Sequence, residues 1–262
     1  MANINPLWYV FFIESGIGFI FGILGLTLLL TTRQRKPSDM MLAHLTVCDI
    51  IYIAVRTVLV ISILKGTFQE HRLIFRAVSF GTLIPQVMSL VIITVDRILA
   101  VNLLVRYKLV VTNKRLVVVL VCVWIFSAAY GVSFWFSKSI VYAFVALGLS
   151  TAVVLFFIVS YTYIIIKVHM TRRRTSTAGR CNQQSRFNYW IPFTIILTYV
   201  LFIVATDLSL VFTGFKFTAW HFIAWNLNPL ADTITYVFGS ARMRSRMRNR
   251  GRHSTTTLVS RV

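Results

Sequence analysis

The sequence predicts an all-α fold: a bundle of seven membrane-spanning helices followed by a short amphipathic cytoplasmic helix. Three observations lead there. Of the 262 residues, 57% are hydrophobic and the mean hydropathy is +0.77, far above what a water-soluble domain of this length carries. The apolar residues gather into seven runs, about 7–31, 39–64, 76–98, 116–136, 140–166, 188–213 and 218–239. Each reaches the roughly 20 residues a helix needs to cross the hydrocarbon. Basic residues also sort by side: with the amino terminus outside, 21 of the 27 Lys and Arg fall on cytoplasmic segments and five outside, with Arg56 inside a span. That asymmetry orients membrane helices. The net charge of +20 thus belongs to the lipid bilayer, and no nucleic-acid partner is expected. The runs make residues 1–241 one transmembrane domain and leave 242–262 as a basic cytoplasmic helix and tail.

The first span carries Glu14 near its outer end, an acid that either snorkels to the interface or serves an ion pair or ligand. The first run is long and lacks a basic leader, so it is expected to act as a signal anchor. The second span, LAHLTVCDIIYIAVR, places Asp49 in mid-bilayer, where a lone carboxylate must be neutralised, hydrated or paired with a cation. Arg56 follows seven residues on, two turns outward on the same face. It reads either as a bridge to Glu14 or Asp207 that fixes packing, or as a forked anchor for an anionic ligand. The third span ends in Asp96-Arg97, a pair expensive to hold where a helix leaves the membrane and therefore read as functional. Trp124, in VCVWIFSAA of the fourth span, suits a helix interface. The fifth ends SYTYIIIKVHMTRRR.

In the sixth span Pro192 is expected to kink the inner end, Tyr199 and Phe202 are its central aromatics, and Asp207 calls for a partner such as Arg56 or a cationic ligand. The seventh, WNLNPLADTITYVFGSARMRSR, carries Asn228, Pro229, Asp232 and Tyr236. Beyond it Met243 and Met247 share a face with arginines elsewhere, as in an interfacial helix on an anionic leaflet. The closing Ser260-Arg261-Val262 fits a PDZ-domain ligand. Cys48, Cys122 and Cys181 are not placed for an extracellular disulfide, and no Asn-x-Ser/Thr sequon occurs. His44, His71, His169, His221 and His253 show no nucleophile–base or metal spacing, so no catalytic activity is predicted.

The stretch from Ser89 to Arg115 resembles the cytoplasmic end of the third helix in rhodopsin-like (class A) G-protein-coupled receptors. The matching residues are Asp96, Arg97, Leu99, Ala100, Val101, Arg106, Tyr107, Thr112, Lys114 and Arg115, with Ile98 in place of the usual tyrosine. The second span is similar to the family's Leu-Ala-Asn-Leu-Ala-x-Ala-Asp, with His44 for the asparagine, and Trp124 stands at the family's position in the fourth. The resemblance implies a plasma-membrane receptor, amino terminus outside, that binds an extracellular ligand and activates a heterotrimeric G protein, with arrestin as a further partner. Arg97 would be held by Asp96 at rest and turn toward Tyr161 (Tyr163 being the alternative) and Tyr236 on activation, with Arg106 and Tyr107 in the coupling region. Asp49, with Gln86, Asn228 and Asp232, would form a hydrated cluster able to take a sodium ion. Arg56, Ser79, Glu14 and Asp207 are the ligand-pocket candidates.

Departures from the family pattern shape these expectations. Ser79 replaces the amine-binding aspartate, and Asn226 lies near the place of the retinal lysine, so neither a biogenic amine nor retinal is implied. Arg72 replaces the disulfide cysteine, Leu26 an asparagine, Val153 a proline, and the sixth span has no Cys-Trp-x-Pro. Aligned on Tyr236, the seventh reads Asp-Thr-Ile-Thr-Tyr, with threonine for proline. Ser185 and Arg186 lie where the sixth helix usually offers an acid to latch Arg97, which implies signalling without ligand. The alternatives are a receptor-like decoy or heterodimer partner, and a transporter or channel. The last would want a path of carboxylates or an inverted repeat, and no repeat is visible.

Overall fold

The computed structural model describes residues 6–31, 37–67, 72–103, 106–133, 139–177, 193–202, 206 and 219–239. Its elements are α1 (Leu7–Leu30), α2 (Pro37–Leu64), α3 (Arg72–Leu103), α4 (Tyr107–Val110), α5 (Asn113–Ser133) and α6 (Ser139–Thr177). They are followed by α7 (Phe193–Phe202) and α8 (Ala219–Gly239). Five of these, α1, α2, α3, α5 and α6, are long and apolar enough to cross a membrane. Over its described residues α7 is apolar but shorter than a span. The helix α8 falls below span hydropathy because it turns His221, Asn226, Asn228 and Asp232 into the bundle.

Two differences from the sequence-based boundaries matter. The third helix runs from Arg72 to Leu103 rather than 76–98, and the fifth predicted span continues to Thr177 rather than 166. Backbone hydrogen bonding needs no apolar side chain, so a helix carries on past the hydrocarbon until a turn stops it. Asp96 and Arg97 consequently sit within α3 rather than at its exit. The short α4 in the following loop was not anticipated from hydropathy. Asp207, Pro192, Cys181, Ser185, Arg186 and residues 242–262 lie outside the described residues, as does the side chain of Tyr236.

In lipid, polar backbone and hydroxyl groups must find partners inside the protein. The spans meet this locally: Thr27, Thr46, Thr57, Thr94, Thr162 and Thr198 each donate to the carbonyl one turn back. At the end of α2, Gly66 takes a left-handed φ of 77°, and its N–H donates to Ile63 O at 3.1 Å, closing the helix as a glycine cap does.

Small residues set the packing. Gly18 and Gly22 let α1 lie against Ile53 and Ile50 of α2. Gly131 of α5 approaches the α3 backbone at Ala77 and Gly81 so closely that a Cβ would come within 2.9 Å of the Ala77 carbonyl. Such contacts are how helices associate where water offers no hydrophobic drive. Pro85 has no N–H for the Gly81 carbonyl, and Ser127 of α5 donates its hydroxyl to that carbonyl instead. The helix α3 is central, touching α2, α4, α5 and α6, while α1 packs on α2 and α8. One apolar core, with Leu90, Phe157 and Tyr199, joins α2, α3, α5, α6 and α7; another, with Phe11, Val60 and Phe222, joins α1, α2 and α8.

Candidate functional site: three polar levels

Polar side chains inside the bundle fall on three levels, spaced by helical turns along α2 and α3. At the expected cytoplasmic level, Arg97 pairs with Asp96 at 3.5 Å, the carboxylate being 1% and the arginine 18% exposed. Tyr107, presented by α4, donates its hydroxyl to the other oxygen of Asp96. Burial, and then the hydrogen bond to Asp96, push the Tyr107 phenol above its ordinary value, so it stays a donor at neutral pH. Asp96 is thus clamped from both sides. Tyr161 of α6 is buried beside Thr94 and Arg97, its ring 5.8 Å from that of Phe193. Tyr163 is instead 40% exposed and donates to Asn102 at 2.6 Å. Of these two tyrosines, Tyr161 is the buried one that lies near Arg97. Arg106, which precedes α4, is exposed.

At the middle level Gln86 donates to Asp49 Oδ1 at 2.8 Å. Asp232 accepts from Thr198 at 3.3 Å and lies close enough to Asp49 for the carboxylates to act on each other. The second oxygen of Asp232 and the amide oxygen of Asn228 are buried without a hydrogen bond. Residues from α2, α3, α7 and α8 therefore converge on one acidic, oxygen-rich cluster. Among the described residues no group of three or more His, Cys, Asp or Glu is set to hold a metal, so any cation here would draw on amide and hydroxyl oxygens as well.

Beside it runs a chain of hydrogen bonds that joins three helices. Trp124 Nε1 donates to His44 Nε2 at 2.9 Å, which requires that nitrogen to be unprotonated, since indole can only donate. The proton then sits on Nδ1, 2.8 Å from Ser89 Oγ, and Ser89 donates in turn to the Pro85 carbonyl at 2.5 Å. Sequence reasoning singled out His44 and Trp124 separately but missed their link. The signal available was a donor-only side chain in one span and a two-faced histidine in another.

At the expected outer level Arg56 is buried, its guanidinium carbon 4.3 Å from the ring centre of Trp225, 5.0 Å from Tyr52 and 5.8 Å from Phe222. Among the described residues it has no carboxylate within 4.0 Å, so the expected bridge to Glu14 does not form there. Arg56 Nε, both oxygens of Glu14, the Ser79 hydroxyl and the Asn226 amide oxygen are buried without hydrogen bonds. Asn226 spends its amide N–H on Ser15 at 2.8 Å.

Residues 23–139 match the family model described as 7 transmembrane receptor (rhodopsin family). The matched segment runs from the second half of α1 to the first residue of α6 and includes Asp49, Arg56, Ser79, Gln86, Asp96, Arg97, Arg106 and Tyr107. No curated protein matches the chain.

Proposed function

We propose that this chain is a rhodopsin-family receptor that binds an extracellular ligand and activates a heterotrimeric G protein, a reading supported by the family match over the segment that carries the third-helix motif. It is a multi-pass membrane protein. The finer reading puts it in the plasma membrane with seven spans, the amino terminus outside and the carboxyl-terminal tail in the cytoplasm, where arrestin and a PDZ-domain protein are further partners. The observation that supports coupling most is the clamp on Asp96. Arg97 and Tyr107 hold the same carboxylate, so a side chain that could face a cytoplasmic partner is kept folded back by contacts a conformational change can break. Tyr161 lies next to Arg97 as a second resting place for it, and Tyr236 lies further along α8.

A ligand that favours the released state shifts the population by its differential affinity for the two states and by nothing else. Neutralising the clamp should therefore act like a ligand. Asp96→Asn is expected to raise nucleotide exchange on the cognate G protein above wild type. Unchanged exchange across all G-protein classes, at equal surface expression, would count against the reading.

The middle level fits a sodium ion chemically. Asp49, Asp232 and Asn228 would hold it, since hard cations take oxygen ligands and two of these oxygens have no other hydrogen bond. A bound sodium ion would offset one of the two carboxylate charges and resist rearrangement of α8 against α2. The decoy and transporter readings leave the Asp96 clamp without a purpose.

A further inference from the structure

The outer level has an unmet chemistry that the family match does not explain. Arg56 follows Asp49 by seven residues and Ser79 precedes Gln86 by seven. The antiparallel helix faces that join Asp49 to Gln86 therefore bring Arg56 and Ser79 level, two turns farther out. On the other side, Ser15 bonded to Asn226 puts Glu14 level with Trp225, the ring that covers Arg56 most closely. Contact of Gly18 with Ile53 places Glu14 level with Thr57 by the same count, one residue from Arg56. Four helices thus present two donors, Arg56 Nε and Ser79 Oγ, and three acceptors, both Glu14 oxygens and Asn226 Oδ1, all buried and none hydrogen-bonded.

A guanidinium cannot shed its charge, and the aromatic rings around it leave its Nε–H without an acceptor. A ligand carrying only an anion would leave the Glu14 oxygens and Asn226 Oδ1 without a donor, and one carrying only a cation would meet Arg56. Both are satisfied by a short molecule that carries both charges. Resting on the receptor reading above, we infer that this level is the binding site for a small amino-carboxylate of the α-amino-acid class. Its carboxylate lies on Arg56 and Ser79, and its ammonium lies on Glu14 and Asn226.

The test is direct binding, independent of any G protein. Purified full-length receptor in lipid nanodiscs is titrated with each of the common L-α-amino acids while thermal stability is followed. The best ligand is then compared with its deaminated acid and its decarboxylated amine. At least one amino acid should stabilise the receptor, and neither half-molecule should do so at the same concentration. Arg56→Gln and Glu14→Gln should each weaken binding by about thirtyfold or more, with Arg56→Lys intermediate because it keeps the charge and loses the fork. The inference is overturned if no amino acid stabilises the receptor, if a half-molecule binds as well as its parent, or if binding survives both substitutions. It is also overturned if, without ligand, the double substitution restores the stability each single one removes, since the two side chains would then be serving each other. Coupling assays would be untouched by such a failure, and a loss of coupling with binding intact would strike the receptor reading instead.

Discussion

Single hydrogen bonds decide how tightly this bundle is held at rest. The Tyr107 hydroxyl is one of two contacts on Asp96, and a hydrogen bond to a charged group is worth about 1.5–3 kcal/mol. Tyr107→Phe removes it without changing the ring's shape, so basal nucleotide exchange should rise about tenfold relative to wild type at equal surface expression; membranes loaded with labelled GTP analogue would show it. Trp124→Phe should act on stability instead. It strands the His44 acceptor, at a cost of about 1–3 kcal/mol, and lowers the melting temperature of the purified protein. Ser62, whose exposed hydroxyl only returns to the carbonyl of Val58, is the control: Ser62→Ala should stay within about 0.5 kcal/mol.

Glycine contacts govern how the helices approach one another. At Gly131 a Cβ would stand 2.9 Å from the Ala77 carbonyl and 3.3 Å from Gly81 Cα, both backbone atoms that have little room to yield, whereas at Gly16 it would meet nothing within 4 Å. Gly131→Ala should therefore separate α3 from α5 and lower the melting temperature, and Gly16→Ala should leave it unchanged. This scale also separates what hydropathy can reveal from what it cannot. The long apolar helices were legible because crossing a bilayer demands length and apolarity, and both are written locally. The ends of α3 and the existence of α4 were not, because they depend on turns and on Tyr107 meeting Asp96 across the loop. The grouping of Asp49 with Gln86 came from the family resemblance rather than from the residues alone, and the capping of Gly81 by Ser127 needed both helices in place. Nothing in the spacing of Arg56 could show that its nearest neighbours are aromatic rings rather than Glu14.

Taken whole, the chain stacks three polar levels along α2 and α3: an outer one rich in unmet hydrogen bonds, an acidic middle, and a clamp on Asp96 beyond it. They share helices, so occupation of the first and release of the third can be coupled through shifts of α2, α3 and α8 as bodies. The arrangement amounts to a receptor only if the clamp controls contact with a G protein. The most direct measurement is basal activation of each major G-protein class in cells displaying the chain at their surface, beside an Arg97→Ala variant displayed equally. A coupled receptor gives a signal above that of empty cells in at least one class, falling to background in the variant. A wild-type signal no different from empty cells, or one that Arg97→Ala leaves intact, would contradict coupling.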